Sequence, residues 1–184
     1  MDIIRPMKKT LLQRLGLKSD KKKINGGESE LGKQLATLLE HLGEERVRYL
    51  AAFGGLLGRV AHADNDFSKE EDERIKNILQ HFTDLSSKEA EVVQRIIHEN
   101  TKTLSGIENY IYTRELNEFA SKDKKLEIVS CLFAVAAADD EISSEENESI
   151  RLINKALLLT HDDFIAIRSM YKDKLLVMKD LPKD

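Results

Sequence analysis

Hydrophobic residues recur at helical spacing along most of this chain. From residue 30 onward, apolar side chains return every three or four positions, as they do on one face of an α-helix. Gly43 interrupts the first apolar stripe, which comprises Leu31, Leu35, Leu38, Leu39 and Leu42. No segment of the sequence sustains the period-two alternation of a half-buried strand. The pattern predicts an all-α fold, a compact bundle of about seven to eight helices.

Polar cap residues and short polar connections divide the remaining pattern into seven further helices. The fifth of the eight helices is expected to bury Tyr110 and Ile111, and the eighth is expected to carry apolar positions as far as Leu175. The predicted helix starts after the first stripe are Glu44, Ser68, Ser86 or Ser87, Ser105, Lys124, Ser143, and Thr160 or His161.

The chain repeats one segment at a constant offset of 75 residues. Residues 63–78 align with residues 138–153 without a gap. Both copies encode the end of one helix, a short acidic turn, and the start of a second helix at a Ser. The repeat therefore predicts a single domain built from two halves that are related by a pseudo-twofold axis. The identical pairs include Ala63 and Ala138, Asp64 and Asp139, Ser68 and Ser143, Glu71 and Glu146, and Ile75 and Ile150.

Ser68 and Ser143 are the predicted N-caps of the helices that follow the two turns. Glu71 and Glu146 stand three residues later, which is the spacing of a capping box. In that motif the hydroxyl accepts a hydrogen bond from one backbone N–H, and the carboxylate accepts one from the N–H of the cap residue. The helices that lead into the turns are rich in Gly and Ala, so we expect them to pack closely against each other.

The two turns also concentrate more acidic side chains than capping requires. Each begins with an Asp at a helix C-terminus, where the helix dipole disfavours an anion. Neither turn is an EF-hand loop, because Ile75 and Ile150 occupy the position that should hold the bidentate Glu. Clustered carboxylates suit a hard divalent cation, so the sequence predicts one shared site for Ca²⁺, Mg²⁺, Mn²⁺ or Zn²⁺. Its candidate ligands are Asp64, Asp66, Glu71, Asp139, Asp140, Glu141 and Glu146.

The two copies resemble the repeated motif of the TerB-like family of tellurite-resistance proteins, which also includes a domain of certain membrane-anchored DnaJ-like co-chaperones. That motif reads Ala-Asp-Gly, five residues, Glu, three residues and an aliphatic residue, and the resemblance covers about residues 30–178. Asn65 and Asp140 replace the Gly of the motif, and both residue types tolerate a left-handed turn. The resemblance implies a helical bundle with pseudo-twofold halves, acidic residues suspected of binding metal, and a role in resistance to tellurite and other stresses in membrane-associated complexes.

Charge separates a basic N-terminal tail from an acidic body. Residues 1–30 hold 8 Lys and Arg against 4 Asp and Glu, whereas residues 31–184 hold 21 against 29. We assign residues 1–29 to a basic amphipathic tail with a flexible linker, and residues 30–184 to the helical domain. Within the tail, residues 7–23 are expected to make weak contact with an anionic membrane surface. The net charge of −4 argues against a nucleic-acid partner.

Composition limits both the compartment and the chemistry. The 184 residues include a single cysteine, Cys131, and the sequence has neither a secretory signal nor an apolar run long enough to span a membrane. We therefore expect a cytoplasmic protein, with the inner face of the membrane as a peripheral location. No Glu stands three residues before any of the five His, so the Glu-x-x-His pairs of a di-iron enzyme are lacking.

Two interpretations of function stay open. In the first, a non-enzymatic TerB-like interaction domain binds a divalent metal and recruits protein partners. In the second, the scaffold is metal-free, the carboxylates serve as helix caps, and an apolar groove between the halves binds a partner helix or a co-chaperone-like partner. A carboxylate–metal enzyme is the least favoured alternative, and the oligomeric state is not determined by the sequence.

Overall fold

The structure is a computed structural model that describes residues 29–64, 67–101 and 106–175. These residues form eight α-helices, which confirms the predicted all-α fold. Single turns of 3₁₀-helix follow the first and the last of them, at Glu40–Leu42 and Lys172–Lys174. The helices are α1 (Glu30–Leu38), α2 (Glu44–Ala61), α3 (Lys69–Thr83), α4 (Ser87–Thr101), α5 (Gly106–Phe119), α6 (Lys122–Ala136), α7 (Ser144–Ala156) and α8 (His161–Ser169).

The spacing of the first apolar stripe predicts that all of it lies on one helix. In the structure it does not. Helix α1 ends at Leu38, and the chain then passes through the 3₁₀ turn to Gly43, whose φ of +79° begins the approach to α2. The break leaves the Leu38 side chain 55% exposed while Leu39 is buried. The prediction of one continuous helical face was therefore wrong beyond Leu35, because the chain reverses direction before the stripe is complete.

The last helix is also shorter than its apolar pattern predicts. Helix α8 ends at Ser169, and the backbone turns back toward the second acidic turn. There the Ile142 N–H donates to the Lys174 carbonyl at 2.7 Å. Leu175 is buried by this return of the chain and not by a helical face. The apolar character of Leu175 correctly predicted that it is buried. The prediction that it lies on a helical face was wrong.

Helix α2 lies at the centre of the bundle. Thirteen of its eighteen residues are buried, and it packs against α1, α3, α4, α5, α6 and α7. Two glycines allow the closest approaches: a Cβ on Gly54 would lie 2.6 Å from the Ile97 Cδ1 atom of α4, and one on Gly55 would lie 2.4 Å from the Tyr112 ring of α5. The expected packing of α2 against α6 is present, but these glycines make room for α4 and α5.

Helix α5 buries a different face from the predicted one. Tyr110 is 65% exposed and lies against the Arg114 guanidinium, and Ile111 is half-buried. Among the described side chains of α5, the buried ones are Tyr112, Thr113 and Leu116. The prediction for Tyr110 was wrong because apolar residues occupy adjacent sides of this helix. The side that is buried is the one that carries Tyr112, since the Tyr112 ring fits into the space over Gly55.

The helices around the two turns pack against each other reciprocally. Helices α2 and α6 lead into the two turns and pack against each other, and each also packs against the capped helix of the other half: α2 against α7, and α6 against α3. One hydrophobic core runs through both halves. In the described part of the chain, no helix is long and apolar enough to cross a membrane. The predicted tail, apart from Ser29, lies outside the described residues.

Candidate functional site: a buried glutamate pair

Each acidic turn is followed by a helix with a complete capping box. In the first copy, the Ser68 hydroxyl accepts a hydrogen bond from the Glu71 N–H at 3.1 Å, and Glu71 Oε2 accepts one from the Ser68 N–H at 2.8 Å. Ser143 and Glu146 make the same two contacts in the second copy, also at 3.1 and 2.8 Å. The boxes hold each glutamate side chain in a fixed position at the start of its helix.

Capping does not account for the depth at which these glutamates lie. Most capping carboxylates are exposed, but Glu71 is only 3% exposed and Glu146 only 4%. The two carboxyl groups lie close enough to each other to interact directly across the two halves. Two carboxyl groups can hydrogen-bond to each other only when one of them carries a proton.

Burial raises the pKa of both carboxyl groups well above the usual value of 4.5. The pKa of Glu71 rises to about 8 through burial, with a further increase from the negative charge of Glu146. Burial raises the pKa of Glu146 to about 7, and the charge of Asp64 adds to the increase. The hydrogen bonds from the two capping serines act in the opposite direction and are outweighed. The pair therefore holds on to a proton near neutral pH.

The other predicted ligands are distributed unequally around this pair. Asp64, at the end of α2, is close enough for its charge to act on Glu146 of the other half. Its counterpart Asp139 is exposed and folds back on its own turn, where it accepts a hydrogen bond from the Glu141 N–H at 3.1 Å. Glu141 is also exposed, and Asp66 lies outside the described residues.

Asp140 is engaged by a basic residue that the sequence did not single out. Its backbone adopts the left-handed conformation expected of a Gly substitute, with φ at +70°. Lys174, from the 3₁₀ turn after α8, donates to Asp140 Oδ1 at 2.6 Å and to the Ala137 carbonyl at 3.2 Å. Nothing in the local sequence marks Lys174, since it lies 34 residues from Asp140 among several other lysines.

The first acidic turn contacts a different part of the fold from the second. Phe67, just before the capping serine, stacks on the His98 ring with the ring centroids 4.7 Å apart. His98 in turn lies 3.0 Å from a carboxylate oxygen of Asp72, in the first turn of α3. The residues before the two caps thus have different partners: Phe67 stacks on α4, and the Ile142 backbone bonds to the segment after α8.

The residues present offer oxygen ligands of the kind that a hard cation prefers. Capping uses Oε2 of Glu71 and of Glu146, so the Oε1 atoms take no part in the capping boxes. As the side chains stand, no group of three or more His, Cys, Asp or Glu among the described residues is placed to hold a metal ion. A cation at the pair would therefore require Asp64 to turn toward it. Two buried carboxylates with one further Asp nearby fit a weak site better than a tight one.

The single cysteine takes no part in this site. Cys131 lies in α6 and is 4% exposed. Burial raises the pKa of its thiol to about 12, so it stays protonated at neutral pH. Cys131 is therefore a residue of the hydrophobic core.

The geometry defines a class of protein: an all-α domain of two related halves whose acidic turns bring a pair of buried glutamates together. A sequence model of the family described as "Tellurite resistance protein TerB" matches residues 50–169, a range that contains both copies of the repeat. The chain belongs to this family. The comparisons with curated proteins and with solved structures found no match to it.

Proposed function

We propose that this chain is a non-enzymatic interaction domain of a tellurite-resistance or stress-response system, and that its glutamate pair binds a divalent cation. The observation that supports the proposal is the contact between Glu71 and Glu146. Two buried carboxyl groups this close repel each other unless they share a proton. A divalent cation would replace that proton and neutralise both charges. It would also tie the two halves together at the point where they meet.

Titration calorimetry with Ca²⁺, Mg²⁺, Mn²⁺ and Zn²⁺ tests the cation site. We expect saturable binding of at least one ion in the millimolar range or tighter, with about one proton released for each ion bound at pH 7. The variants Glu71→Gln and Glu146→Gln should weaken binding at least about tenfold, since each removes one charged ligand. Asp64→Ala should weaken it as well, whereas Asp139→Ala should have a smaller effect because Asp139 faces away from the pair.

Glu145→Gln provides the matched control. Glu145 precedes Glu146 in the first turn of α7 but is exposed, so its loss removes the same charge without touching the pair. Equal loss of affinity in Glu145→Gln and Glu146→Gln would show general electrostatic attraction instead of a site. Absence of saturable binding for all four ions would refute the cation proposal and leave the fold and the capping boxes unaffected.

A metal-free interaction domain is the second candidate, and one feature favours it. An open groove of about 930 Å³ runs between α3 of the first half and α6 and α8 of the second. Its apolar lining includes Ile78, Phe82, Leu126 and Ile167, and Met170 at its edge is 77% exposed. A groove of this shape suits the apolar face of a partner helix.

Photo-cross-linking in the native cell distinguishes this second candidate. A photoreactive residue in place of Met170 should capture a protein partner, and one in place of the exposed Leu152, on α7 and outside the groove, should not. Capture from both positions, or from neither, would contradict a groove-specific partner. We place this interaction in the cytoplasm, with the basic tail as the contact to the inner face of the membrane.

A further inference from the structure

A second cavity lies on the opposite side of the central helix, between α1, α2 and α5. Its volume is about 190 Å³. The cavity exists because the residues that face each other across it are small, so α1 and α5 cover α2 without meeting over it. Its lining includes Gly32 and Ala36 of α1, Ala51 and Ala52 of α2, and Ile111 of α5.

The size and lining of this cavity suit aliphatic side chains. An apolar protein cavity of about 150 Å³ accommodates a molecule the size of benzene, so this one has room for one or two leucine side chains. The apolar area comes from alanines, Val47 and Ile111, and the polar rim includes the exposed Glu40 and Glu44. Arg48 and Glu115 also line the cavity, but they pair with each other and add no net charge. A ligand that fits would therefore present leucines flanked by positive charge.

One segment of this chain has that chemistry and is attached at the edge of the cavity. Ser29, the first described residue, is 8% exposed and lines the cavity itself. The residues before it contain Leu11, Leu12 and Leu15 at the spacing of one helical face, together with Lys8, Lys9 and Arg14. We propose that residues 7–17 dock on this cavity of their own chain, with leucines inserted between α1 and α5 and basic residues beside Glu40 and Glu44.

The connection is long enough for such docking. Residues 18–28 separate the segment from Ser29, and eleven extended residues span up to about 36 Å. Helix α1, along which the cavity lies, has nine residues and is therefore only about 14 Å long. Attachment at Ser29 also gives the segment a high effective concentration at the cavity, in the millimolar range for a connection of this length.

Disulfide trapping in the full chain tests the docking. The double variant L15C/A36C places one cysteine in the segment and one on the cavity wall. The control L15C/A156C uses an exposed alanine of α7 that does not line the cavity. Native Cys131 is buried and does not compete. Under mild oxidation at low protein concentration, we expect L15C/A36C to form an intramolecular bond at least about tenfold faster than the control.

Charge reversal on the rim provides a second measurement. The E40K/E44K change in the L15C/A36C background should slow trapping several-fold, whereas E91K/E99K, at two exposed positions on α4, should not. Equal trapping rates for the test and control pairs would overturn the proposal, and a tail that contacts only membranes would give this result. Disulfide-linked dimers in place of intramolecular bonds would also overturn it, because the cavity would then hold the segment of a second copy.

Discussion

At the scale of single residues, Glu71 and Glu146 have two roles with opposite electrostatic consequences. As N3 residues of capping boxes they accept hydrogen bonds from backbone N–H groups, and this favours the charged form. As buried neighbours across the pseudo-twofold they penalise each other's charge. Burial is the larger effect, so the native state holds protons that the unfolded chain would release at neutral pH.

This difference predicts how stability depends on pH. Both folded-state pKa values lie above the ordinary 4.5, so the folded protein binds more protons than the unfolded chain between about pH 4.5 and 8. The stabilising contribution is complete below pH 4.5 and is lost as pH rises through 7 and 8. We expect the free energy of unfolding to fall by at least about 2 kcal/mol between pH 4.5 and 8, measured by urea denaturation without divalent cations.

Substitution of the pair identifies the source of that fall. Glu71→Gln keeps an oxygen for the Ser68 N–H and removes one titrating group, so the decline between pH 5 and 8 should shrink by at least half. Glu70→Gln removes an exposed carboxylate from the same helical turn and should leave the decline unchanged. A Glu71→Gln profile that matches the wild type would show that the glutamates do not share a proton.

At the scale of the helices, close packing around α2 decides which residues of α5 are buried. The Tyr112 ring lies directly over Gly55, and a methyl group there would overlap the ring. Gly in a helix interior normally costs about 0.5–1 kcal/mol relative to Ala. The contact with Tyr112 explains why Gly is tolerated at this position, and it ties the register of α5 to α2.

Gly55→Ala is therefore expected to destabilise the protein, although the change raises helix propensity. We expect a loss of about 1–3 kcal/mol in the free energy of unfolding, because the buried Tyr112 ring has to shift. In the Y112L background the same change should cost clearly less, since leucine leaves space above position 55. Gly32→Ala is the control: its added methyl meets the Ser29 hydroxyl at 3.2 Å and the Ala51 Cβ atom at 3.7 Å, without overlap, and should be close to neutral. Equal costs at positions 32 and 55 would contradict this packing argument.

At the scale of the whole molecule, the duplicated halves form one cooperative unit. Each helix that leads into a turn packs against its counterpart and against the capped helix of the other half. Leu57 and Leu132 occupy equivalent positions in the two copies, and both are completely buried in the shared core. Neither half retains its core without the other.

Leu57→Ala and Leu132→Ala should consequently behave alike. We expect each to lower the free energy of unfolding by about 2–5 kcal/mol. Unfolding should remain a single transition in both variants, with coincident curves from far-ultraviolet circular dichroism and tyrosine fluorescence. Two separate transitions in either variant would show that the halves unfold independently.

Much of the fold and part of the site follow from local sequence patterns. Helical spacing predicted the all-α class, and the offset of 75 residues predicted the two halves and the equivalence of Glu71 with Glu146. Cap spacing placed Ser68 and Ser143 at helix starts, where the structure has them. These properties depend on neighbours within about four residues or on the comparison of two such segments, so the sequence carries them directly.

Tertiary packing decided what depends on distant neighbours. It moved Leu38 and Tyr110 to the surface, brought Lys174 onto Asp140, and left Asp139 outside the pair while Asp64 acts on it. It also turned two capping glutamates into a buried, proton-sharing pair. Burial and electrostatic interaction between residues 75 positions apart depend on how whole helices pack, and no local pattern records that arrangement.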